Sequence, residues 1–166
     1  MAVMRKRSLF LTLIAAVLAL PVGCGRPTSV PTPDGGEVTV DEKGDEVDMT
    51  VTGPDGRKMT MKTDASGVAL PDDFPKDVPL LPGVKPTGVV KLGDATTVTF
   101  ETDNKVADVA EYYNKVLATH GWRIEVSMAV QDGTMVAGTK EKRAVQVMAT
   151  KRDTGASVTV SVSQAP

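Results

Sequence analysis

Cys24 is the only cysteine and His120 the only histidine in this chain. Counting alone therefore excludes an intrachain disulfide and a metal site built from several Cys and His ligands. Nucleophilic catalysis needs a Ser, Cys or Thr beside a positioned base. His120 is the one imidazole that could serve, and it falls at the end of a predicted helix, where a cation complements the helix dipole. No G-x-S-x-G elbow occurs. Carboxylates gather at Asp41, Glu42, Asp45, Glu46 and Asp48 around Gly44, but their spacing does not supply the alternating ligands and distant bidentate Glu of a calcium loop. A solvated hairpin turn accounts for them. Met49, Met59 and Met61 could share a face and offer soft thioethers to Cu(I); Met at strand spacing is equally the filler of an apolar face. Lys140, Lys142 and Arg143 make one basic turn and Lys151 and Arg152 another. In an antiparallel pair these turns lie at opposite ends, so they read as solvated tips. The expectation is no catalytic residue, no metal site, no cofactor and no enzymatic activity.

The first 23 residues set the compartment. Arg5, Lys6 and Arg7 precede any acidic residue, the first being Asp34. An apolar stretch follows from Ser8 to Leu20, too short for a span of about 20 apolar residues. Small residues lead to Gly23 and Cys24. Removing this leader takes the 19 basic side chains to 16 against 21 acidic ones, a net of −5. That balance draws the chain towards neither nucleic acid nor anionic lipid.

A sole cysteine at the end of such a leader resembles the lipobox of bacterial lipoproteins. The resemblance implies cleavage before Cys24, diacylation of its sulfur and acylation of the new amine, and several acyl chains anchor stably where one does not. The sequence departs from the usual pattern in placing Pro21, rather than Leu, three residues before the cysteine, with Leu20 one earlier. An exported protein with an unmodified thiol is the alternative. Gly25 after the cysteine resembles outer-membrane sorting in a Gram-negative cell. The implied partner is thus a membrane, reached through Cys24, with an envelope protein as a further partner and nucleic acid as none.

The elements that would carry these residues can be read in order. Residues 24–36 are rich in Pro, Gly, Ser and Thr and predict a flexible tether. Residues 37–63 alternate (Val47, Met49 and Val51; Met59 and Met61) between turns at Gly44-Asp45 and Pro54-Asp55-Gly56, which predicts a three-stranded β meander. Prolines at 71, 75, 79, 82 and 86 rule out helix or central strand in residues 64–86. Phe74, Val78, Leu80, Leu81 and Val84 still need burial, so an extended strap is expected. Residues 87–164 predict a hairpin around Gly93-Asp94, a helix from about Lys105 to His120, then four strands turning at 131–133, 141–143 and 153–155. The helix carries Val106, Val109, Ala110, Tyr113, Val116 and Leu117 on one stripe. Thr102 or Asp103 would cap its start, and Gly121-Trp122 would close it in a Schellman ending.

The expected fold class is α+β: a two-layer ββαββββ unit, an antiparallel meander packed by one helix, with the N-terminal β meander and the Pro-rich strap attached. The run Leu70-Pro71-Asp72-Asp73-Phe74-Pro75, Leu81-Pro82-Gly83, strand pair, helix ending in Gly121-Trp122 and strand meander resembles small exported bacterial lipoproteins of uncharacterised function. That likeness implies architecture and compartment, without catalytic residues. Met135-Val136-Ala137-Gly138-Thr139 resembles the Q-x-V-x-G hairpin of cystatin-type protease inhibitors, with Thr134 where the leading Gln would stand. The expected function is a membrane-tethered, non-enzymatic binding module; Met-based metal handling and protease inhibition are the alternatives.

Overall fold

The computed structural model describes residues 27–165. Ten strands and one helix follow in the order β1 (Thr28–Pro31), β2 (Glu37–Lys43), β3 (Glu46–Thr52), β4 (Lys58–Thr63), β5 (Pro86–Leu92), β6 (Ala95–Thr102), α1 (Val106–Thr119), β7 (Arg123–Val130), β8 (Gly133–Lys140), β9 (Arg143–Lys151) and β10 (Ala156–Gln164). All strands join one antiparallel sheet ordered β1-β2-β3-β4-β5-β6-β10-β9-β8-β7.

This corrects the expected fold class. The protein is not a two-layer ββαββββ unit with a separate N-terminal meander, but a single ten-stranded sheet with one short helix packed on it. The reason lies in the backbone. β5 has a free edge beside β6, and β4 occupies it, from Met59 opposite Leu92 to Thr63 opposite Gly88. Those ladder bonds merge the meander into the main sheet. The tether expectation is corrected too. Thr28–Pro31 pair with Glu37–Val40 as an exposed edge strand, because the turn at residues 32–36 brings the chain straight back on itself.

The helix forms where the apolar stripe predicted it. Val109, Tyr113 and Leu117 are its buried residues. Its N-cap is Lys105, with no side-chain cap, rather than Thr102 or Asp103. The Thr102 hydroxyl instead accepts from the Asn104 amide at 3.2 Å. The other end closes as a Schellman motif: the Trp122 amide donates to the Leu117 carbonyl and Gly121 to Ala118, each at 3.0 Å, with Gly121 at φ +81°. α1 lies over β7, β8 and β9.

The strap, residues 64–85, covers the same face beside it. Phe74, Val78 and Leu81 join Val98, Phe100, Val136, Val147, Val158, Val160 and the helix in one core. Prolines and turns keep the strap out of the ladder, while its apolar residues point inwards.

The sheet is amphipathic in opposite senses in its two parts. Residues directly opposite one another in a ladder share a face. Val98, Val160, Val147 and Val136 form one such row under the helix and strap. The neighbouring row, on the reverse face, reads Val40, Met49, Met61, Val90, Thr97, Ser161 and Gln146. It is apolar from β2 to β5, polar at β6, β10 and β9, and ends in Ala137 and Val126, while the row beside it, Thr99, Thr159, Met148, Met135 and Met128, turns apolar again from β9 to β7. A second reverse-face row adds Val30, Val38, Val51, Met59 and Leu92. On the helix face the same strands carry Thr39, Asp41, Asp48, Thr50, Thr60 and Lys62. The helix face thus turns from polar to apolar at β5, where Val89 points to the core and Val90 and Leu92 to the reverse. No helix or strand among the described residues packs on the reverse face of β1–β5.

Candidate functional site

Two features of the described residues could meet another molecule: a polar cleft where the strap crosses the sheet, and the apolar reverse face of β1–β5. Next to the cleft stands Asp77, in the strap. Arg143, at the start of β9, donates from both terminal nitrogens to the Asp77 carboxylate, at 3.0 and 2.7 Å, and Lys140, at the end of β8, donates at 2.7 Å. The two-residue turn between β8 and β9 puts both cations at one end of the sheet. Lys140 Nζ also donates to the carbonyl of His120 at 2.8 Å, so one ammonium ties strap, sheet and helix end together. The Trp122 indole donates to the Asp77 carbonyl at 3.0 Å, and the Arg143 guanidinium lies 5.0 Å from the Trp122 ring centroid, a cation–π distance. A further strap bond runs from the Tyr112 hydroxyl to the Leu80 carbonyl at 2.9 Å.

The electrostatics follow. The bidentate Arg143 bond, with Lys140 assisting, outweighs burial and pulls the Asp77 carboxyl down to about 2. The solvated-tip expectation for Lys140 and Arg143 is therefore corrected: both are about three-quarters buried and paired. The reading missed this because the partner lies more than sixty residues away in a proline-rich stretch, where three aspartates (Asp72, Asp73 and Asp77) look alike.

Beside this latch is a cleft of about 240 Å³, bounded by Asp73 and Pro75 of the strap, Lys91, Asp94 and Thr96 around the β5–β6 turn, Arg143, and the end of β10. Lys91 is bonded to Asp73, which holds that carboxyl below its ordinary value. The cleft is smaller than the roughly 300–1,000 Å³ typical of small-molecule sites. Its two cations are already engaged by carboxylates. It can take a small polar group, and not a large apolar ligand.

The other singled-out residues are scattered. Cys24 lies outside the described residues. His120 is the helix C-cap, with its Nδ1 2.8 Å from the Val116 carbonyl, a local bond at an exposed position. Asp41 stands opposite Asp48 across the β2–β3 hairpin, and Asp48 accepts from Lys62 at 2.8 Å. Among the described residues no cluster of His, Cys, Asp or Glu could hold a metal ion. Met49 and Met61 are direct cross-strand partners and Met59 is two residues from Met61, all on the apolar reverse face. Met135–Thr139 does not form a hairpin tip. It is the middle of β8, paired on one side with β7 and on the other with β9, with Val136 buried. That removes the geometry by which a cystatin-like loop would enter a protease cleft. Arg152, at the other basic turn, pairs with Glu101.

Residues 86–165 match a family model described as START domain-like. No curated protein and no solved structure matches the chain. The START domain-like stretch runs from the first residue of β5 to just past β10. It therefore holds the helix, Arg143, Lys140 and most of the core, and leaves β1–β4 and the strap outside. Among the described residues no helix is long and apolar enough to cross a membrane.

Proposed function

We propose that this chain is a non-enzymatic contact module, held at the outer surface of a bacterial membrane by acyl chains on Cys24 and acting on another envelope component. The observation that carries the reading is the position of β1. It begins at Thr28, only four residues after the lipobox-like cysteine. An acylated Cys24 would hold the edge of the sheet within about 14 Å of the bilayer surface, since an extended residue spans at most ~3.3–3.6 Å. The sheet would rest close to the membrane, with no long tether between them. The START domain-like likeness of residues 86–165 adds that a binding role suits this fold. The side chains best suited to chemistry have structural tasks: His120 bonds within its helix, and Asp77, Lys140 and Arg143 hold the strap. With a small cleft and a broad apolar face, contact through a surface fits better than capture of a large ligand. Gly25 after Cys24 favours the outer membrane if the cell is Gram-negative.

The test is intact-mass spectrometry of the protein extracted from membranes, beside Cys24→Ala. The expected result is a chain beginning at Cys24 with added acyl mass, and release of the variant from the membrane fraction. A chain recovered from cytosol with residues 1–23 attached and no acyl mass would overturn the proposal.

A further inference from the structure

The apolar reverse face of β1–β5 has a composition that no part of the chain's own core explains. Along these five strands it presents Val30, Val38, Val40, Val47, Met49, Val51, Met59, Met61, Val90 and Leu92. The one charged strand residue on it is Glu42, opposite Val47. Asp41, Asp48, Lys58 and Lys62 all point to the other face. The pattern is regular alternation, apolar one way and polar the other, which is how a strand prepares one face for burial. Yet Val30 and Leu92 are each 53 % exposed. The other eight are partly buried by their neighbours in the sheet, and no helix or strand among the described residues covers them.

We propose that this face is closed by a second copy of the same chain, packed sheet against sheet. The proposal rests on the reading of the protein as an anchored contact module and names its partner. Three observations favour a second copy. The first is area. Five strands about 4.8 Å apart, four to seven residues long, offer a footprint of roughly 500 Å² per copy, and twice that is about the ~1,000 Å² a specific interface needs. The second is charge. A face with one carboxylate and no cation has nothing with which to select an oppositely charged partner, and nothing to attract anionic headgroups. Flat Val and Met rows are self-complementary, as a two-fold interface requires. The third is where the chain leaves the sheet. β1 is an outer edge and Cys24 lies four residues before it.

That third observation selects one of the possible two-fold axes. If the axis ran along the strands, β1 of one copy would face β5 of the other, and the two anchors would sit at opposite ends of the pair. An axis running across the strands, from β1 towards β5, stacks β1 on β1. Both Cys24 residues then reach the same bilayer and the pair stands on the membrane with its axis near the normal. The middle row, Val40, Met49, Met61 and Val90, lies on that axis and meets its own mate.

The test uses the full chain, expressed in cells and extracted in detergent. A benzophenone amino acid replacing Met61 is expected to give, on irradiation of intact cells, an adduct of twice the chain mass joined near position 61 in both copies. The same probe at Thr60, next in the strand and on the opposite face, is expected to give none. Sedimentation of the extracted protein is expected to show a dimer, weakened at least tenfold by Met61→Glu and by Leu92→Glu and unchanged by Thr60→Glu. Leu92 is half exposed, so its variant is expected to fold even if Met61→Glu does not, as a thermal melt would show. A Met61 adduct with a different protein or with lipid, and no self-adduct, would overturn the second copy and leave the contact reading standing. No adduct at all, with a monomer in sedimentation, would overturn both.

Discussion

The Asp77 carboxylate accepts three hydrogen bonds from two cations, and removing its charge would leave Lys140 and Arg143 facing each other, partly buried and unpaired. Asp77→Asn is expected to destabilise the fold by about 2–3 kcal/mol, less than a fully buried pair because the groups keep some exposure. Denaturant unfolding measures this. The pH dependence has a definite sign. The folded carboxyl titrates at about 2 against an ordinary 3.8, so the contribution is fully present above about pH 4 and is lost as pH falls towards 2. It amounts to about 2 kcal/mol, and the difference between wild type and Asp77→Asn should shrink over that window. A second residue argues the other way. Tyr113 is fully buried, its ring edge-on to Tyr112 at 5.1 Å, and its hydroxyl lies near the Leu81 backbone without forming a hydrogen bond. Burial pushes its ionisation well above the ordinary value. Tyr113→Phe removes an unsatisfied polar atom and should leave stability unchanged or raise it by up to about 1 kcal/mol.

At the scale of elements, two glycines with similar backbone conformations separate two kinds of constraint. Gly121 has φ +81° and open space around it, the nearest atom being Lys140 Cε at 3.9 Å. Gly121→Ala should therefore cost only the conformational term, about 1 kcal/mol. Gly155 has φ +73°, and a Cβ there would stand 1.9 Å from the Thr102 carbonyl oxygen and 2.7 Å from Asp103 Cα. Gly155→Ala must push the end of β6 away from β10, and a loss of about 2 kcal/mol or more is expected. Comparing the two melting transitions tests the distinction. The helix was legible because a 3.6-residue stripe and a Gly-Trp ending are local signals. The strands of the meander were legible from their alternation. The union of β4 with β5 was not, because the intervening strap separates the partners and pairing across such a gap leaves no local mark. β1 was hidden for a different reason: Thr28–Pro31 carries no apolar alternation, and only its ladder with β2 makes it a strand. The Asp77 latch was likewise beyond reach, since its three charges come from distant stretches that each look solvated.

At the scale of the molecule, the sheet carries two apolar faces on opposite sides. The one under α1 and the strap is closed by the chain itself. The other, from β1 to β5, is closed in the proposed dimer by another copy standing on the same membrane. Alternation in the sequence showed that residues 37–63 had an apolar side; which side of the sheet it took depended on the register between β4 and β5, a single residue pairing that decides the sense for every strand beyond it. That register is also what separates a contact module from a closed domain.

The methionines offer a direct test, because both ends of the reverse face carry them: Met59 and Met61 in β4, Met128 and Met148 at the far, exposed end. Peroxide oxidation, read methionine by methionine by mass spectrometry, should be compared between intact cells and the full chain purified at high dilution. The account predicts that Met59 and Met61, at the centre of the interface, oxidise several-fold more slowly in cells than in dilute solution, a larger slowing than at Met128 and Met148. Equal rates at Met59 and Met61 in cells and in dilute solution would contradict it.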